Sequence, residues 1–236
     1  MRCSRGGIAA GSFRATPSFA QKAGRILDLY GKTWEGMPLG PDDFVISADE
    51  KPSLQARRRK HPTLAPGPAR PMRVEHEYFR KGALTYLAAW DAHHGRLFGR
   101  CEPKTTIAAV DQLVAQVMTV EPYRSASRVF WISDNCSSHR GERAAARLRA
   151  QWPTLTLVHT PNHASWLNQV EIYFSVVQRN VITPNDFASL QELEDRLLTF
   201  QARYELTAKP FQWTFTRTDL AELLAKLKTR ELERAA

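Results

Sequence analysis

The chain has 236 residues, 43% hydrophobic, 10% aromatic and 24% charged, a composition that suits one large globular domain or two small ones and excludes a disordered tail, a collagen-like fibre and a coiled-coil rod. No apolar run reaches the roughly 18 residues of a membrane helix, no secretory core follows the start, and Cys3, Cys101 and Cys136 do not make a disulfide scaffold. Lys and Arg number 33 against 24 acids, giving a net charge of +9 and a pI near 9.7, which favours a polyanionic partner.

Residues 1 to about 20 show no periodicity, and the pattern from Phe19 to Tyr30 predicts a short helix ending before Gly31. Phe44–Ala48 is a continuous apolar run between Pro41 and Pro52 and reads as a buried strand. The next thirty residues, 51–80, carry eight basic and two acidic side chains. Pro52, Pro62, Pro66, Pro68 and Pro71 prevent a regular helix there, so Lys51, Arg57, Arg58, Arg59 and Lys60 are expected on an irregular basic excursion suited to a phosphate backbone. Strands are predicted over Leu84–Trp90 and Arg96–Cys101, joined by a turn containing Gly95.

Apolar residues at helical spacing mark Thr105–Val120 as an amphipathic helix, and Gly141–Gln151 is Ala- and Arg-rich and helical. Val129–Ile132 and Leu155–Val158 are further strands. Leu167, Val170, Phe174, Val177 and Val181 predict one helix from 167 to 181, and two more helices, Leu190–Tyr204 and Thr218 to about Leu232, follow. This order of elements implies an α/β fold, a mixed five-stranded sheet flanked by helices in the ribonuclease-H-like plan.

Three acids stand where such a fold would bring them together. Asp49 follows the Phe44–Ala48 strand and Asp134 follows Val129–Ile132, so adjacent strands would bring both carboxylates to one sheet end. Like charges that close repel unless a cation lies between them. Glu171 lies on a polar stripe, with Asn168, Ser175 and Gln178, beside the apolar face of the 167–181 helix. Each acid alone reads as a cap or a solvated side chain. Together they supply hard oxygen ligands suited to Mg²⁺ or Mn²⁺, and two such ions about 3.5–4 Å apart can activate an attacking oxygen and stabilise a leaving oxygen at a phosphodiester.

The segments Asp-Glu-Lys at 49–51, Ser-Asp-Asn-x-x-x-His at 133–139 and Thr-Pro-Asn-His-Ala-Ser-Trp-Leu-Asn-Gln-Val-Glu at 160–171 resemble the DDE transposases of the insertion-sequence 630 group, relatives of the mariner elements. Lys-Pro-Phe-Gln-Trp-Thr at 209–214 is similar to the segment that closes their catalytic domains. The resemblance implies a ribonuclease-H-like domain that cuts DNA with Mg²⁺ or Mn²⁺, two ions per site, and transfers the freed 3′-hydroxyl to target DNA, usually at TA. It places the catalytic, metal-binding triad on Asp49, Asp134 and Glu171. Asn135, His139 and Asn168 match family positions beside the acids, where they would orient ligands or hold phosphates. Trp166 either stacks on a DNA base or packs on the sheet.

The implied partner is double-stranded DNA, with a homodimer assembled on it, no small-molecule cofactor and no membrane. The implied location is cytoplasmic and nucleoid-associated. Family members begin with a helix-turn-helix region, for which residues 1–40 are too short. The expected division is therefore an N-terminal segment 1–40, a catalytic domain 41–216 and a C-terminal helix 217–236. Two other readings compete. Cys136-x-x-His139 and His159-x-x-x-His163 have zinc-finger-like spacing, although a helix and a strand intervene. A basic DNA-binding remnant without turnover fits the net charge equally well.

Overall fold

The computed structural model describes residues 17–134 and 141–235. Helix α1 (Pro17–Tyr30) leads into a small hairpin, β1 (Thr33–Trp34) and β2 (Met37–Pro38), which turns on Glu35 and Gly36, both at positive φ. The main sheet comprises β3 (Asp43–Arg59), β4 (Tyr78–Asp91), β5 (Leu97–Glu102), β6 (Arg128–Ser133) and β7 (Leu155–His159). Its order is β5-β4-β3-β6-β7, antiparallel on the β5-β4-β3 side and parallel through β6 and β7. Helices α2 (Ile107–Met118), α3 (Gly141–Gln151), α4 (Val170–Val177), α5 (Leu190–Glu205) and α6 (Arg217–Ala235) complete the described structure. This is the mixed five-stranded, ribonuclease-H-like arrangement expected of the sequence.

Both faces of the sheet are covered, which is why its central strands read as continuous apolar runs. On one face Phe44, Ile46, Ala48, Val129 and Trp131 pack against α2 and Leu148 of α3. The other face is shared. Tyr86, Ala88 and Trp90 meet α4 and α5, while Val45, Phe130 and Ile132 meet α1 and Leu220 of α6. Ala23, Ile26 and Leu29 of α1 are fully buried in that second cluster, so structure that belongs to the core begins well before residue 40. No helix among the described residues is long and apolar enough to cross a membrane.

Two elements differ from expectation. The basic segment is not irregular from residue 51: β3 runs on to Arg59 and pairs with β4 as a two-stranded ribbon beyond the parallel sheet. Pro52 is accommodated because it sits in a register shift between Lys51 and Leu54, where no ladder N–H is needed, with Ser53 at positive φ. Only the ribbon tip, with isolated bridges Leu64–Arg73 and Gly67–Arg70, is irregular. The helix expected over 167–181 is interrupted. A 3₁₀ turn (Ser165–Leu167) precedes α4, and a π-helical turn (Gln178–Ile182) follows it. Asn168 breaks the run because its backbone is extended, with φ −87° and ψ 108°, while its side chain is drawn into the sheet.

Candidate active site

The site lies where β6 ends beside β3. The parallel register pairs Ser47 with Ile132, and continuing it by two residues brings Asp49 level with Asp134. Neighbouring strands lie about 4.8 Å apart, so both carboxylates occupy one narrow edge. Asp49 is not at a strand terminus as expected: it lies inside β3, opposite Ala88 of β4, at the point where β3 loses its parallel neighbour.

Carboxylate oxygens of Asp49, Glu50 and Asp134 all lie within 4.8 Å of one another. Glu50, not singled out in the sequence, joins the cluster although simple strand alternation would put neighbouring side chains on opposite faces. The Asp-Glu pair beside an apolar run was the one available signal. Burial first, then the charge of Asp134 and those of Glu50 and Glu171, together push Asp49 up to about 8 against the Glu50 N–H, which donates to Oδ1 at 2.8 Å. Burial also raises Glu171; Lys51 opposes this and Asp134 reinforces it. Glu171 thus belongs to the same negative field, from the first turn of α4. An all-oxygen set of crowded, partly buried acids fits a hard divalent cation, which would relieve their mutual repulsion.

The start of α4 is held on β3 by polar contacts. Val170 N–H donates to Ser47 Oγ at 2.9 Å, and Glu171 N–H donates to the Asn168 carbonyl at 3.1 Å. Asn168, expected among the DNA contacts, is instead fully buried. Its Nδ2 donates to the Ala48 carbonyl at 2.9 Å and to Asp49 Oδ2 at 3.1 Å, and its Oδ1 accepts from Ser47 Oγ. Trp166 packs edge-on to Phe215, with ring centroids 5.0 Å apart, against the cluster under α1 and α6.

The basic side chains divide by environment. Lys51 lies close enough to Glu171 to oppose its shift. Arg57 lies over the Tyr78 ring at 4.6 Å and donates to Gln55 at 3.3 Å. Arg59 donates to two backbone carbonyls, and Lys60 pairs with Glu77. Arg58 is exposed. Asn135, His139 and Cys136 lie outside the described residues. His159, from the zinc alternative, has Nδ1 3.2 Å from the Asp134 carbonyl.

The profile described as DDE superfamily endonuclease matches residues 45–194, a span containing Asp49, Asp134 and Glu171. The chain belongs to the DDE superfamily of endonucleases. Its fold is similar to that of the Mos1 mariner paired-end complex with Mn, at 13% identity and TM-score 0.57 over 87% of this chain and 60% of that one. The pre-cleavage Mos1 transpososome gives 13% identity and TM-score 0.57 over 88% and 62% of the two chains. The Mos1 complex with the left transposon end gives 14% and 0.55 over 89% and 60%. This DDE-superfamily chain therefore spans about 60% of the length of the Mos1 chains it matches. A search of curated protein sequences returns no match.

Proposed function

We propose that this protein is the catalytic portion of a metal-dependent DNA transposase of the insertion-sequence 630 and mariner kind. It would hydrolyse phosphodiesters at element ends and join the freed 3′-hydroxyls to target DNA at TA. The observation that carries the reading is the meeting of Asp49, Glu50 and Asp134 carboxylates at one edge of a DDE-superfamily domain, with Glu171 adding charge from α4.

Asp49, Asp134 and Glu171 would hold Mg²⁺ or Mn²⁺, two ions per site. When bound, such ions supply Lewis-acid activation of the attacking oxygen and charge stabilisation at the leaving oxygen. The chain's own part is positioning. Asp49 lies within β3 and Asp134 directly follows the adjacent strand β6 of a packed sheet, which fixes their separation before substrate arrives. Lys51 balances Glu171 at the site edge. Along the same strand, Arg58 stands roughly 25–30 Å from Asp49, somewhat less than the roughly 34 Å of one turn of duplex DNA, so the ribbon is suited to phosphates flanking the cut. Asn135 and His139, next to Asp134 in sequence, are proposed to contact the same DNA. A homodimer on double-stranded DNA in the nucleoid and a catalytic unit over 41–216, with α1 packed into its core and a C-terminal helix over 217–236, complete the reading.

Supercoiled plasmid incubated with the protein in Mg²⁺, Ca²⁺ or EDTA provides the test. Nicking in Mg²⁺ that disappears in Asp134→Ala supports the reading, and sequenced junctions from end-bearing oligonucleotides then report the TA target. Wild type and Asp134→Ala behaving alike in Mg²⁺ would leave an inactive, basic DNA-binding remnant.

A further inference from the structure

We infer that Asn168 is a positioning residue for the metal centre, locking the Asp49 carboxylate in its ligand orientation with Ser47 as its anchor. The inference rests on the proposed metal-binding reading and extends it to Asn168, which its full burial keeps from the DNA contact expected of it.

The bonding capacity of Asn168 is used in a directed way. Both of its amide hydrogens have acceptors: the Ala48 carbonyl at 2.9 Å and Asp49 Oδ2 at 3.1 Å. Its Oδ1 accepts from Ser47 Oγ, which fixes the amide against flipping, since a flipped amide would face the Ser47 hydroxyl with its NH₂ and the Asp49 carboxylate with its oxygen. Ser47 is fully buried and its oxygen also receives the Val170 N–H at 2.9 Å, so the anchor is itself held by the first residue of α4. Asp49 in turn receives one donor on each oxygen, Glu50 N–H on Oδ1 and Asn168 Nδ2 on Oδ2. Two donors set the carboxylate plane and leave the second lone pair of each oxygen for a cation.

Asn168 also joins the halves of the site. Its side chain holds Asp49, while its backbone carbonyl accepts the Glu171 N–H at 3.1 Å. A side chain serving stability alone would have no need to spend a donor on a crowded carboxylate. Such a bond favours the charged form that a metal ligand must adopt, against the burial and like charges that disfavour it.

The test is Mn²⁺ binding to the full chain, followed by electron paramagnetic resonance well below the unfolding transition, with Tm measured in EDTA. Asn168→Ala is expected to bind Mn²⁺ on the order of tenfold more weakly than wild type. Ser47→Ala keeps both amide donors but releases their anchor, and is expected to weaken binding about threefold; it carries the test if Asn168→Ala does not fold. A lowered Tm with Mn²⁺ affinity within about twofold of wild type overturns the inference and leaves Asn168 a packing residue, because that is less than the loss expected of a ligand-orienting partner. Asp49→Asn is the control. If it binds Mn²⁺ as wild type does, the metal-centre reading fails; if it loses binding while Asn168→Ala keeps it, only the positioning role fails.

Discussion

The Arg59 guanidinium donates to the Pro184 carbonyl at 2.9 Å and to the Glu75 carbonyl at 2.7 Å, tying the ribbon both to the loop after the π-helical turn and to the segment that leads into β4. The Arg59 and Arg57 backbone N–H groups extend the same seam by donating to Asp186 and Asn185, each at 3.1 Å. Arg58, one residue away, is exposed between these anchored neighbours. Strand alternation therefore separates two roles within one basic run.

That separation predicts different phenotypes for adjacent arginines. Arg59→Ala should lower stability by about 2 kcal/mol, as expected for losing charge-assisted hydrogen bonds to two half-buried carbonyls. Arg58→Ala should leave Tm unchanged and reduce the slope of log K against log salt for duplex DNA by up to about 0.9. Thermal melts paired with a salt titration of DNA binding check both, and an unchanged slope in Arg58→Ala would remove it from the phosphate contacts.

At the start of the parallel pair, Arg128 grips Asp43 with two bonds, 2.9 and 2.6 Å, and Gly40 N–H adds a third at 2.8 Å. The Asp43 side chain is 3% exposed and Arg128 46%, so deleting the arginine strands a buried carboxylate. Arg128→Ala should cost about 2 kcal/mol, less than a fully buried pair because one partner is half in water. The Arg128 hydrogen bonds hold Asp43 below the usual carboxylate range, which outweighs its burial. The contribution is thus present above the ordinary carboxylate pKa and lost as pH falls through the depressed one. Denaturant melts of wild type and Arg128→Ala should converge in strong acid.

The sheet was legible in the sequence because a strand buried on both faces must be apolar at successive positions, as Phe44–Ala48 and Val129–Ile132 are. Their alignment explains why Asp49 and Asp134 could be singled out from composition and order. The ribbon was not legible, since Pro52 and a run of arginines disguise a strand whose pairing partner, 78–86, lies beyond the tip. The break at Asn168 was hidden for a similar reason. Leu167, Val170 and Phe174 keep helical spacing across it, whereas its cause is a set of bonds to Ser47, Ala48 and Asp49, some 120 residues earlier.

Glu50 supplies a prediction the triad alone would not. Its oxygen shares the 4.8 Å cluster with Asp49 and Asp134 and adds negative charge at Asp49. Glu50→Gln keeps the shape and removes that charge, so Mn²⁺ affinity should fall about three- to tenfold, less than in Asp134→Asn. Calorimetric titration with Mn²⁺ compares the two. An affinity equal to wild type in Glu50→Gln would place that side chain outside the cation's surroundings.

Asp49 gives the metal-free protein an unusual pH dependence. Burial first, and the charges of Asp134, Glu50 and Glu171 after it, hold its pKa near 8 in the folded state, whereas the unfolded chain has an ordinary carboxylate. Between about pH 4 and 8 the folded state therefore binds more protons at this position than the unfolded state, and stability must fall as pH rises. Glu171, raised by burial and by Asp134 against the pull of Lys51, acts in the same direction. With Asp49 partly open to solvent, the loss from pH 5 to pH 8 should be about 2 kcal/mol, and Asp49→Asn should flatten most of it. A divalent cation should reverse the trend, because it binds the deprotonated cluster: added Mn²⁺ should stabilise more at pH 8 than at pH 5 and release about one proton near pH 7. Melts in EDTA and in Mn²⁺ across this range decide the matter, since metal-free stability that rises with pH would mean that Asp49 is already ionised in the fold.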